Sequence, residues 1–172
     1  MRIFFRGNLA IHAHCTYIDR DARGIAATLT VVPPGGVRVS LPEMLKNGLA
    51  SLLLAQGPSV LRRMHVLDRA FKEADTAVAP GPHWYLHMMA VRGDLRGRGL
   101  GSKLASACLQ RIVDEDDTHD RHYPTTLATQ LETNCVFYRR LGFVDAGARI
   151  MMGAAGAPYT TFLMHRPAKT NA

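Results

Sequence analysis

The sequence predicts a single α/β (or α+β) domain built on a mixed sheet, and three observations carry that expectation. Short β-branched runs flank a turn near the front; two helical patterns follow; and the second half reads strand, glycine-rich loop, helix, strand. The chain of 172 residues is one domain's worth, long enough to bury about 70% of its unfolded surface. Hydrophobic residues make up 47% and charged residues 20%, which excludes a disordered or fibrous chain.

Taken in order, Cys15 to Asp19 and Gly24 to Val32 read as an antiparallel hairpin, with the turn around Asp19-Arg20-Asp21 and the end at Pro33-Pro34-Gly35-Gly36. Ser40-Leu41-Pro42-Glu43 is a capping-box pattern. Leu45, Leu49, Leu52 and Leu53 continue at helical spacing, so one helix is expected up to Gly57-Pro58. A second helix carries Leu61, Met64, Leu67, Ala70 and Phe71 and ends before Pro80-Gly81-Pro82; both helices are expected to cover the sheet. His83 to Val91 is a strand, and Leu100, Leu104, Cys108, Leu109 and Ile112 form one helical face. Thr125 to Gln130 is a second strand, completing a βαβ unit. Asn134 to Arg140 is a short helix closed by Gly142, and strands follow near Val144 to Met152 and Thr160 to Arg166. The run Asp114-Glu115-Asp116-Asp117 is expected in a solvated loop after the helix, because acids oppose the dipole at a helix C-terminus.

No apolar run approaches a membrane span and no secretory leader is recognisable, so a cytoplasmic protein is expected, neither secreted nor membrane-bound. Cys15, Cys108 and Cys135 are too scattered for a disulfide framework and form no CxxC, so they are read as reduced thiols, with Cys135 in the core. The HxH pair His12 and His14 lacks a nearby third ligand, so no metal is expected. Lys plus Arg total 21 against 14 Asp plus Glu, a net charge of +7 that calls for an anionic partner without saying which.

The glycine-rich loop narrows the choice. In Arg96-Gly97-Arg98-Gly99-Leu100-Gly101-Ser102, three glycines precede or open a helix, where unpaired N–H groups and the helix dipole favour an anion. A tight turn that merely needs glycine is the competing reading; the interleaved Arg96 and Arg98 favour the cradle. A Walker loop needs Gly-Lys-Ser/Thr, and the dinucleotide fingerprint would need glycine at Ser102. Neither fits.

The run His83-Trp84-Tyr85-Leu86, then Met89-Ala90-Val91, the loop Arg96 to Gly101, and Asn134 through Phe143 resemble the GNAT superfamily of acyl-CoA-dependent N-acetyltransferases. Arg96, Gly99 and Gly101 meet that family's Arg/Gln-x-x-Gly-x-Gly/Ala element. The Pro82 to Leu86 opening and the Val32 to Gly36 turn are most similar to the branch containing puromycin N-acetyltransferase. The resemblance implies a mostly antiparallel mixed sheet flanked by helices, with a central βαβ unit that binds acyl-CoA. It implies that the N–H groups of Arg96, Gly97, Arg98, Gly99, Leu100, Gly101 and Ser102 hold the coenzyme A pyrophosphate. The backbone of Met89, Ala90 and Val91 would pair with the pantetheine arm, and Asn134 would hydrogen-bond it. Acetyl-CoA is then the co-substrate and the acceptor a small-molecule or peptide amine, with no nucleic acid or membrane partner needed; a homodimer is compatible with this reading.

For the chemistry, the resemblance implies a strand break near Met89 that turns an N–H to the thioester carbonyl, and Tyr138 as proton donor to the departing thiolate, its alternative being a buried ring. His87, where relatives often carry glutamate, is either a base with pKa near 6.5, acting directly or through water, or a half-buried strand histidine. Trp84 is read as core. Ala128 stands where many relatives have glutamate. Met1 to Phe5 align inside the family's second helix, so the usual opening strand and helix are expected to be absent. A non-catalytic acyl-CoA-binding domain is the alternative function, and a basic nucleic-acid module lacks a recognition element.

Overall fold

The computed structural model describes residues 10–37, 40–57, 59–119, 121–153 and 157–168. The expectation attached to Met1 to Phe5 lies outside them. Alternating β-branched residues and a turn at Ala22-Arg23 produce the front hairpin, β1 (Thr16–Asp21) and β2 (Gly24–Val32), paired antiparallel. Three helices follow: α1 (Leu41–Lys46), α2 (Leu49–Gln56) and α3 (Ser59–Val78). The central unit is β3 (Trp84–Val91), α4 (Leu100–Thr118) and β4 (Thr125–Thr129); α5 (Glu132–Arg139), β5 (Val144–Met152) and β6 (Pro158–Arg166) complete the chain. Among the described residues six strands run in the order β1-β2-β3-β4-β6-β5, and of their pairings β3–β4 alone is parallel. This is the mixed, mostly antiparallel sheet that the sequence predicts.

The expected single helix from Leu41 to Gln56 is two. The capping box forms as read, with the Glu43 carboxylate accepting from the Ser40 backbone N–H and Ser40 Oγ accepting from the Glu43 N–H. Gly48 then adopts φ +103°, a conformation that ends α1 and turns the chain into α2. Nor do both helical segments cover the sheet: α2 packs mainly on α3, and of the two segments it is α3 that makes substantial contact with β4, β5 and β6.

The sheet's two faces hold different cores. On one, α4 and α5 bury Leu29, Val31, Trp84, Leu86, Leu127, Phe143 and Met164. On the other, Ala74 of α3 meets Met151 and Leu163, with Phe71 and Val78 alongside. Leu163 and Met164 point to opposite faces, as adjacent strand residues must.

The acidic run departs from expectation. Asp114 to Asp117 lie within the last turns of α4, not in a loop, and Asp116 is only 4% exposed. Its carboxylate accepts from Trp84 Nε1 at 3.2 Å and from the Tyr123 backbone N–H at 3.0 Å. Two buried donors outweigh an unfavourable dipole worth a few tenths of a kcal/mol. Trp84 is core, as read. Asp116→Ala should therefore cost about 2–4 kcal/mol in a urea titration, because both donors lose their acceptor.

Candidate active site

The strands β3 and β4 pair only from Trp84 opposite Thr125 to Leu86 opposite Leu127; beyond this they part, while β3 continues beside β2 to Val91. A gap opens in the middle of the sheet. Backbone direction along β3 is fixed at both ends. The Trp84 N–H donates to Pro124 O on the β4 side, and the Arg92 N–H donates to Ala26 O on the β2 side. Counting by two from each end, Leu86 addresses β4, Met88 and Ala90 address β2, and Met89 and Val91 address the gap. Leu86 and Met89 are three positions apart where strand alternation allows two, so one residue is extra. The β2 register shows it: Val31 is opposite Leu86 and the next residue, Thr30, is opposite Met88, which leaves His87 as the bulge. The break thus sits at His87 and re-aims the Met89 amide, two residues on.

The helix α4 starts at the mouth of this gap. Gly97 and Gly99 have φ of +73° and +77°, and a Cβ built on either meets no atom within 4 Å, so the loop lies open above its backbone. Gly101 serves differently. Its Cβ would fall 2.6 Å from Met89 Cε and 3.3 Å from Val91 Cγ2, so this glycine lets the first turn of α4 press against β3. Arg96 also departs from a purely anion-facing reading: its Nε donates to Val91 O at 3.2 Å, tying the loop to the strand end. Arg98, Ser102 and Lys103 are exposed, and Leu100 is half-buried. An ionic chain fastens the base of the loop to the front hairpin, with Arg92 bonded to Asp21 and to Asp94, and Asp94 to Arg23.

On the far side of the gap, Asn134 Nδ2 donates to Thr129 Oγ1 at 2.9 Å, which fixes that side chain at the end of β4. One turn later Tyr138 is half-buried, edge-on to Phe137 with ring centres 5.0 Å apart and to Phe143 at 5.9 Å. Burial first, then the Cys135 thiol, raises the Tyr138 pKa, so the phenol keeps its proton at neutral pH.

The opposite face of the gap is a cavity of about 620 Å³ between α3 and the strands, lined by His12, Tyr85, His87, Ala128, Gln130 and the α3 residues Met64, Leu67, Phe71 and Asp75 among others. Burial, then the neighbouring His12, pushes His87 down to about 4, well below the expected 6.5. The rings of His12 and His87 are 4.9 Å apart. The sequence offers His12 only as half of an HxH pair without a third metal ligand; the fold sets its ring beside one from β3. Asp75 accepts from Thr126 Oγ1 at 2.6 Å and lies 2.7 Å from His83 Nε2, and Tyr85 beside it has a pKa raised by burial and by that carboxylate. Cys15, Cys108 and Cys135 are all buried, with thiol pKa values raised chiefly by burial, so none is a ready nucleophile. Among the described residues no His/Cys/Asp/Glu group could hold a metal, and no helix is long and apolar enough to cross a membrane.

The shift at His87 has a measurable consequence. Its pKa is lower folded than unfolded, so stability present above pH 6.5 is lost as pH falls toward 4. His87→Leu should flatten the acid side of a melting-temperature profile across that window. A persisting slope of the parent's steepness would show that His87 does not titrate there.

Residues 65–145 match the acetyltransferase (GNAT) domain family. The match covers the central part of the chain, from the middle of α3 to the start of β5, and the architecture agrees with it. A protein from Corynebacterium glutamicum described as histone acetyltransferase HPA2 and related acetyltransferase is 19% identical over 99% of this chain and 75% of its own, with a TM-score of 0.53. The polyamine N-acetyltransferase of Drosophila melanogaster is 12% identical over 89% and 74%, with a TM-score of 0.55. Naa20 of Chaetomium thermophilum, solved with a bisubstrate analogue, is 14% identical over 95% and 71%, with a TM-score of 0.52. These likenesses are of fold. No curated protein matches the sequence.

Proposed function

We propose that the protein, acting as a single domain, transfers an acetyl group from acetyl-CoA to a primary amine by direct attack in a ternary complex. The observation that carries this reading is the gap between β3 and β4, with the Met89 and Val91 amides turned into it, the open N-terminus of α4 at its mouth and a cavity behind it. The N–H groups from Arg96 to Ser102 hold the pyrophosphate, and the open space over Gly97 and Gly99 suits that close approach. Met89 and Val91 pair with the pantetheine arm as an added strand would, and Asn134 closes the other side.

In the reaction the amine nitrogen forms a bond to the thioester carbon, the C–S bond breaks, and the sulfur leaves with its electron pair. Met89 N–H donates to the carbonyl oxygen as negative charge develops. Tyr138 delivers its proton to the sulfur, and water restores it. The attacking nitrogen must shed a proton; His87, neutral at pH 7, accepts it in passing or orients the water that takes it. With a pKa of about 4, it is a relay rather than a store for that proton.

Calorimetric titration with acetyl-CoA, followed by a thiol-release assay over an amine panel, tests the reading. Binding and amine-dependent thiol release are expected. Absence of binding overturns it, and binding without transfer to any amine leaves an acyl-CoA-binding domain.

A further inference from the structure

The walls of the cavity differ in kind. On α3, Met64, Leu67 and Phe71 recur at three- and four-residue spacing and border the cavity, while Val32 and Leu163 lie across from them. The C-terminal half of α3 seats Ala74 and Val78 on the sheet, whereas Met64 and Leu67 remain half-buried above the void. Apolar surface left facing a cavity of about 620 Å³ is surface that an apolar ligand would remove from water, and the volume lies in the usual range for small-molecule sites.

The charges say what the ligand is not. Asp68 and Lys72 stand one turn apart on α3, of opposite sign and exposed. Asp75 lies deeper, with one oxygen accepting from Thr126 and the other beside His83. The lining described therefore has no cluster of uncommitted carboxylates to hold a second or third ammonium group, which a polyamine would need. His87 and Ala128 place one end of the cavity at the gap between β3 and β4, where the acyl group has to be met.

We propose, resting on the acetyl-transfer reading above, that this cavity takes the acceptor and that the acceptor is a primary monoamine on a bulky apolar body, such as an arylalkylamine. Its nitrogen lies at His87, and its carbon body lies against Met64, Leu67 and Phe71.

The test uses the purified full chain with saturating acetyl-CoA and compares tryptamine with butane-1,4-diamine, spermidine and a lysine-containing peptide. Tryptamine should exceed each of the others in kcat/KM by about 10-fold or more, the discrimination expected of an apolar pocket. Phe71→Ala should raise the KM for tryptamine about 10-fold with a smaller change in kcat. Phe71 also packs on the Ala74 cluster, so Met64→Asp is the second variant. It sets a carboxylate in the apolar wall and should lower kcat/KM for tryptamine about 10-fold while raising that for the diamine. Leu54→Ala, at a side chain 90% exposed outside the cavity lining, should match the parent. The proposal is overturned if the parent prefers the diamine, spermidine or peptide, if no amine is consumed, or if neither cavity variant moves the tryptamine constants. Acetyl-CoA binding measured alongside separates the two failures. Retained binding with transfer to the wrong acceptor removes the acceptor class alone, whereas absent binding removes both readings.

Discussion

Tyr138→Phe should lower the turnover of an amine substrate by about 10²-fold or more while leaving acetyl-CoA affinity within about twofold. The substitution deletes one oxygen. The ring keeps its edge-on contacts with Phe137 and Phe143, so the folded population should not change enough to account for the loss. A raised pKa leaves the phenol protonated through the working range, which is the state a donor to the departing sulfur needs. Stopped-flow thiol release under conditions where chemistry limits turnover is the measurement. A Phe variant as fast as the parent would hand the proton transfer to water.

Gly99→Glu and Gly101→Glu should each weaken acetyl-CoA binding by about 10²-fold, because a carboxylate at the start of α4 opposes the pyrophosphate and displaces charge-assisted hydrogen bonds worth about 1.5–3 kcal/mol each. The two arrive there by different routes. At Gly99 the backbone has φ +77°, so any side chain carries backbone strain but meets no neighbour. At Gly101 the Cβ collides with the end of the Met89 side chain and crowds that of Val91, on the two residues whose amides are assigned to the gap. Gly101→Ala therefore separates the effects: it should move Met89 and reduce turnover about 10-fold, with a smaller loss of affinity than Gly101→Glu. Titration calorimetry on variants with parental circular dichroism decides. Unchanged affinity in folded Gly99→Glu would remove the loop from the phosphate site.

Most of the fold is legible in the sequence because its signals are local. The β-branched runs of the hairpin, the Ser40 to Glu43 capping box and the helical face from Leu100 to Ile112 each specify an element by short-range pattern, and each forms. A single glycine inside a leucine-rich helical pattern is compatible with one continuous helix, and only the positive φ of Gly48 reveals the break. Asp116 departs from its expected place for the opposite reason. The helix dipole favours a solvated place for it, yet the donors that hold it come from Trp84, 32 positions away, and from Tyr123. The candidate site divides the same way. The loop glycines stand out by their place before a helix, and Asn134 and Tyr138 through the resemblance carried by the run Asn134 to Phe143, whereas the His12–His87 pair, the bulge at His87 and the apolar wall of α3 exist only after strands and helix come together. Even the lowered pKa of His87 follows from packing that no neighbour in sequence announces.

The short β3–β4 ladder has a mechanical meaning for the whole sheet. Strands β1, β2 and β3 form one half and β4, β6 and β5 the other, and the parallel pairing that stitches them spans only Trp84 to Leu86 on one side and Thr125 to Leu127 on the other. The halves are two leaves on a short spine. Any molecule that donates to and accepts from both margins of the gap lengthens the spine, so its binding energy also resists the leaves coming apart, as a ligand specific for the folded state must. Occupancy and rigidity are therefore coupled at this seam, and the shortest ladder of the described sheet is also the line on which the proposed chemistry lies.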